Sequence, residues 1–182
     1  NFRSASLVVA DLTEADLTEA DLTEADLTGT ILDGVDLSSL DLAPLDLTGA
    51  NLTGAIFVGA DLPSTHLAGL ARNGADLFGV DLSSEDLSGA DLMVMPLARA
   101  NLSKANLSEA NLAYSNLPGA DLTSANLRGA DLTGADLTSA DLASANLTGA
   151  DLTGARVFRW PGWRRTIWPE GFSPQAAGVI FE

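Results

Sequence analysis

The chain of 182 residues has no cysteine. Disulfides, thiol chemistry and thiolate metal sites are therefore excluded, and the redox compartment leaves no mark. It has one histidine, His66, and one tyrosine, Tyr114, and aromatic residues make up only 5% of it. A histidine-based metal cluster or a base-stacking nucleic-acid surface has little to be built from. Positive charge is scarce as well: nine Lys and Arg stand against 25 Asp and Glu, for a formal net charge of −16. A phosphate backbone would be repelled by most of such a surface, so direct nucleic-acid binding is not expected. No apolar run approaches the ~18 residues of a membrane span, and no secretory leader is recognisable. The expected compartment is the cytoplasm, and the start at Asn1 leaves processing of an upstream segment open.

What the chain has in abundance is leucine at a fixed interval. Every fifth position from Phe2 to Val157 is Leu in 28 of 32 cases; the exceptions are Phe2, Phe57, Arg72 and Val157. The preceding residue is Asp or Asn in 25 of 32 cases, and the one before that is usually Ala, as in Ala10-Asp11-Leu12 and Ala15-Asp16-Leu17. A helix turns about 100° per residue, so five residues rotate a side chain by a net ~140° and the leucines would form no stripe. In a straight strand, alternation would send every second leucine to the opposite face. All leucines share one core only if the chain bends in every repeat and coils about an axis, with Leu and Ala inward and Asp/Asn and Ser/Thr outward. That architecture is a β-solenoid, an all-β fold stabilised by stacking of neighbouring coils.

The motif A-[DN]-L-[ST]-x, repeated through residues 1–157, resembles the signature of the pentapeptide-repeat family. The resemblance implies a right-handed quadrilateral β-helix with four repeats, twenty residues, per coil. About eight coils stacked at ~4.8 Å would make a rod roughly 38 Å long. Residues 1–157 are thus expected to be the repeat domain. Residues 158–182 are expected to be an aromatic and basic cap over the last coil, carried by Trp160, Trp163, Trp168 and Phe172. Within this tail, Ser173-Pro174 reads as the N-cap and first residue of a short helix. Some members of the family dimerise at the C-terminal end, so a homodimer through this end is compatible.

Against so regular a background, departures carry information. Residues 63–74 are the most degraded stretch, and Arg72 occupies an inward leucine position, where an unpaired guanidinium costs several kcal/mol. A bulge or five-residue loop with Asn73-Gly74 as its turn is expected there, and His66 reads as a turn residue. Such a loop would keep the register while rotating all later sides by a quarter turn. A second departure places apolar residues outward: Val58, Phe78, Met93, Val94 and Tyr114, with Ile56 and Pro96. They form a candidate partner patch. With no loop, Val58 would stack on Phe78, and Val94 on Tyr114. Met93, Val94, Pro96 and Tyr114 fall in a belt, residues 92–120, whose only acid is Glu109, whereas residues 11–91 hold 17 acids against one Arg.

No paired general acid and base, phosphate loop or metal cluster is evident, so neither an enzyme nor a cofactor is expected. Parallel outward carboxylates diverge, and Ca²⁺ needs six to eight converging oxygens. Two functional readings remain. The first is a protein-binding rod that presents the apolar patch, with charge serving solubility. The alternative follows from the resemblance: acidic rods of this family mimic DNA and bind type II topoisomerases such as bacterial DNA gyrase, some protecting it from quinolones. Its candidate residues form an acidic column, Asp21, Asp41, Asp61, Asp81, Asp121 and Asp141.

Overall fold

The structure, a computed structural model, describes residues 2–17, 20–38, 40, 42, 45, 47, 49–56, 77–158 and 164–182. Each repeat folds the same way. A residue at the Asp/Asn position makes a single parallel bridge to the equivalent residue of the next coil, as in Asp81–Asn101, Asn101–Asp121 and Asp121–Asp141. The Leu that follows opens a four-residue turn closed by the next inward N–H, as in Ala105 N to Leu102 O at 3.1 Å. Between turns, the N–H of each leucine reaches the coil above, as in Leu82 N to Asn101 O at 2.8 Å. Four turns complete a coil of twenty residues, so the solenoid is four-sided.

The turns explain the fifth residue of the repeat. It sits at positive φ, which suits glycine: Gly54, Gly134 and Gly154 adopt 64°, 66° and 70°. Several bulkier residues are held there too, among them Val94 at 61° and Tyr114 at 57°. The Asp/Asn residue completes the motif, because its Oδ1 accepts the backbone N–H two residues on; Thr123 N to Asp121 Oδ1 is 2.9 Å. Either Asp or Asn can do this, so the repeat demands an oxygen rather than a charge.

Inside, Leu and Ala alternate around each coil, and the coils stack into one continuous core: Leu102, Ala105, Leu107 and Leu112 are all essentially fully buried. Each buried Leu is worth about 2 kcal/mol. Among the described residues three polar side chains are buried, Thr30 and Ser115 at inward positions and Thr138 at an outward position that the tail covers. Thr30 satisfies its hydroxyl on the Leu27 and Leu7 carbonyls at 2.7 and 2.9 Å. Thr138 Oγ1 accepts the Phe158 N–H at 2.9 Å. Ser115 Oγ is buried with no hydrogen-bond partner.

Two irregularities set the geometry. Ile56 bridges to Asp81, twenty-five residues on rather than twenty. The stretch of sequence between these two bridge partners is therefore one repeat longer than the twenty residues that separate partners elsewhere. His66, Arg72, Asn73 and Val58 lie in it, outside the described residues. At the other end the tail returns over the last coil. Ile167 bridges to Asp141, and β1 (Arg156–Val157) pairs in parallel with β2 (Ile180–Phe181). Trp168 and Phe172 stack with ring centroids 5.4 Å apart and pack on the core; Trp160 and Trp163 lie outside the described residues. The helix expected at Ser173-Pro174 does not form. A single turn, Ala177 N to Ser173 O at 3.1 Å, is ended by Gly178 at φ 82°.

Candidate functional site

Each side of the solenoid consists of stacked rows of five residues whose alternate members face out. Side I holds rows 94–98, 114–118, 134–138 and 154–158. Side II holds 79–83, 99–103, 119–123 and 139–143. Side III holds 84–88, 104–108, 124–128 and 144–148, and side IV 89–93, 109–113, 129–133 and 149–153. The sides differ sharply in chemistry. Side II carries Asp81, Asn101, Asp121 and Asp141 in one continuous column that runs down through Ile56 to Asp36. Side III carries Asp86 and then an amide ladder, in which Asn106 Nδ2 donates to Asp86 Oδ1 at 2.9 Å and Asn126 Nδ2 to Asn106 Oδ1 at 3.0 Å. Side IV carries Asp91, Asn111, Asp131 and Asp151. Side I carries Pro96, Asn116, Asp136 and Arg156.

The expected acidic column is consequently divided. Asp81, Asp121 and Asp141 share side II, but Asp21 does not: its carbonyl accepts the Phe2 N–H, and it belongs to the adjoining side. The extra repeat between residues 56 and 81 is the physical reason, since it advances every later residue by one corner. Asp41 and Asp61 lie outside the described residues. For the same reason Phe78 stacks on Thr53 and Gly54, whose N–H donates to the Phe78 carbonyl at 2.6 Å, so the pairing of Phe78 with Val58 that an uninterrupted twenty-residue spacing implied gives way.

The apolar residues gather more tightly than the sequence indicated. Val94, Pro96 and Ala98 are the outward members of one row of side I, and Tyr114, Asn116 and Pro118 of the next. Phe78 begins the corner at which this side ends one coil below. Val94, Tyr114 and Phe78 are 62%, 58% and 40% exposed. Met93, half exposed, ends a row of side IV and lies just around the corner. Pro118 and Ala98 were missed as members of the patch because a period of five hides which outward residues become neighbours across coils. Two contacts hold the aromatic rings. The Arg99 guanidinium carbon lies 5.5 Å from the Phe78 ring centroid, a cation–π contact. The Tyr114 ring lies over Gly134.

The carboxylates are tuned by the turns they cap. At Asp11, Asp21, Asp36, Asp86 and Asp151 the hydroxyl of the Thr or Ser two residues on, then its backbone N–H, lowers the pKa below the ordinary Asp value. Among the described residues no three His, Cys, Asp or Glu side chains gather as a metal site, and no helix is long and apolar enough to cross a membrane.

The Pentapeptide repeats profile matches in eight copies, over residues 1–38, 30–69, 46–83, 97–129 and 120–157. The chain belongs to the pentapeptide-repeat family. Its fold is the right-handed quadrilateral β-helix of that family. Among solved structures, the pentapeptide repeat protein alr5209 from Nostoc PCC 7120 is 38% identical, over 64% of this chain and 93% of that one, with a TM-score of 0.46. HetL from Nostoc sp. strain PCC 7120, a protein involved in regulation of heterocyst differentiation, is 38% identical over 87% of this chain and 66% of its own, with a TM-score of 0.31. QnrB1, a plasmid-mediated fluoroquinolone resistance protein, is 18% identical over 100% of this chain and 84% of its own, with a TM-score of 0.35. No curated protein matches the chain significantly.

Proposed function

We propose that this pentapeptide-repeat protein is a non-enzymatic, cytoplasmic rod that binds another protein. The observation that supports this is the contrast among its sides: from residue 77 onward, sides II, III and IV carry unbroken Asp and Asn columns, whereas side I begins its column with Pro96 and exposes Val94 and Tyr114, with Phe78 at its corner. A contiguous exposed apolar patch rimmed by polar residues is a mark of an interaction site. A photo-cross-linking residue placed at position 114 should give a discrete protein adduct in cells, and the same residue at exposed Ser84 on side III should not. Equal adducts at both positions, or none at either, would count against the reading.

A second reading, mimicry of DNA toward a type II topoisomerase such as DNA gyrase, draws support from side II, where Asp36, Asp81, Asp121 and Asp141 share one column. B-DNA carries one charge per about 1.7 Å of axis, and Ile56 and Asn101 interrupt this column. The assay that separates the two is gyrase supercoiling titrated with the protein, with and without a quinolone. Mimicry requires inhibition or protection that disappears when Asp36, Asp81, Asp121 and Asp141 are changed to Asn, and again at about 0.5 M salt. End-to-end pairing of two copies at the C-terminal end is compatible with either reading, and sedimentation across a concentration series tests it.

A further inference from the structure

We propose that side I is the docking face, and that its occupant is a short apolar segment of another protein flanked by Lys and Arg. The inference rests on the reading of the chain as a binding rod and names the surface and the chemistry of the partner. Six apolar residues make the face, with Asn116 exposed among them: Phe78, Val94, Pro96, Ala98, Tyr114 and Pro118.

The face is built to stay in place. The two prolines stiffen their rows, Arg99 lies over the Phe78 ring, and the Tyr114 ring rests on Gly134. A partner therefore loses little side-chain entropy in ordering the surface it meets. Val94 and Tyr114 stand at the turn position of their repeats, at φ of 61° and 57°, and are more than half exposed; the next two corners of side I, Gly134 and Gly154, carry no side chain, so the apolar surface ends there.

Size and charge select the occupant. Two rows of five residues and the Phe78 corner cover on the order of 200 Å², against the ~800 Å² that each partner contributes to a standard interface between folded proteins. A short segment with two or three apolar anchors fits. A second copy would bring another charge of −16 alongside. Level with the two rows, side II presents Arg99, Asn101 and Asp121 and side IV Asp91 and Asn111, with Asp81 and Asp131 one coil beyond; acids outnumber the single Arg99 there, so a second copy is repelled where basic flanks are attracted.

The test uses the full chain, isotope-labelled for amide NMR, and three synthetic peptides: an amphipathic Leu/Lys peptide, its Leu/Glu counterpart and a Lys/Ser peptide of equal charge. The Leu/Lys peptide should bind most tightly, shifting amides of rows 94–98 and 114–118 and of Phe78. Tyr114→Ser, and separately Phe78→Ser, should weaken it by about tenfold with the circular dichroism unchanged. The Leu/Glu peptide should not bind. The proposal is overturned if the Leu/Lys peptide fails to bind, if Lys/Ser binds as tightly, if the shifts fall on sides II to IV, or if Tyr114→Ser leaves affinity unchanged. Concentration-dependent dimerisation lost in Tyr114→Ser would overturn it in favour of a second copy. Each outcome concerns this face; the broader reading as a binding rod stands or falls on the cross-linking result at positions 114 and 84.

Discussion

The ring of Tyr114 fills the space that a side chain on Gly134, one coil on, would need. A β-carbon added to Gly134 would lie 2.5 and 2.6 Å from Cε1 and Cδ1 of the ring. The same arrangement recurs where Glu109 leans over Gly129 and Arg99 over Gly119. At these three corners a bulky fifth residue is accommodated by a glycine twenty residues later. Gly134→Ala should therefore cost about 2 kcal/mol, combining displacement of the ring with an Ala at φ 66°. Pairing it with Tyr114→Gly should recover part of that loss. Urea unfolding of the two single variants and the double variant measures the coupling, and strict additivity would show that the ring and the glycine act independently.

Val94 is β-branched at φ 61° and buries little of its side chain. Val94→Gly is expected to stabilise the fold by about 0.5–1 kcal/mol, the relief of strain exceeding the added freedom of the unfolded chain. A gain in urea midpoint together with weaker binding of the Leu/Lys peptide would display the trade between stability and function at one residue.

Ser115 Oγ is buried without a partner at an inward position that alanine occupies in most repeats. Ser115→Ala should raise stability by about 1 kcal/mol, since it removes an unsatisfied hydroxyl and leaves no large cavity. A lower urea midpoint in the variant would refute this. Sequence inspection passes over Ser115 because the hydroxyl's solvation depends on atoms contributed by other coils.

The capped carboxylates predict a pH dependence. Hydrogen bonds from Thr13 hold the Asp11 pKa below its ordinary value, and Ser88 does the same for Asp86. A depressed folded-state pKa contributes stability that is present above the unfolded value, about 3.9, and lost as pH falls through the folded value. Carbon NMR titration should find Asp11 and Asp86 below ordinary Asp. Thr13→Val should move Asp11 upward by removing the hydroxyl while the backbone bond from residue 13 to Asp11, 3.0 Å long, remains. An unmoved Asp11 would show that the hydroxyl has no part in it.

The tail protects an edge. Ile167 N–H donates to the Ala140 carbonyl at 2.9 Å, and Ile180 N–H to the Ala155 carbonyl at 2.7 Å. Ending the chain after Val157 exposes both carbonyls and the core beneath Trp168 and Phe172. Concentration-dependent association in light scattering is expected. A truncated chain that stays dispersed and equally stable would mean that the tail covers nothing the last coil needs.

The sequence by itself determined the solenoid. Leucine every fifth residue with alanine two before it admits no straight element, and Asp, Asn and Gly mark most turns locally. It also exposed residues 63–74 and the outward Phe78, Val94 and Tyr114 as departures. Only the tertiary structure decided which departures meet. A repeat specifies what a residue does within its own coil, whereas neighbours across coils depend on the exact number of residues between them. One additional repeat between Ile56 and Asp81 moved Asp21 off the side that bears Asp81 and seated Phe78 on Thr53 and Gly54, whereas the regular spacing beyond residue 77 set Phe78 one coil below Ala98, beside Val94 and Tyr114. The function of the Asp/Asn residues was decided there too, because their hydrogen bond to the turn appears only once the chain has bent.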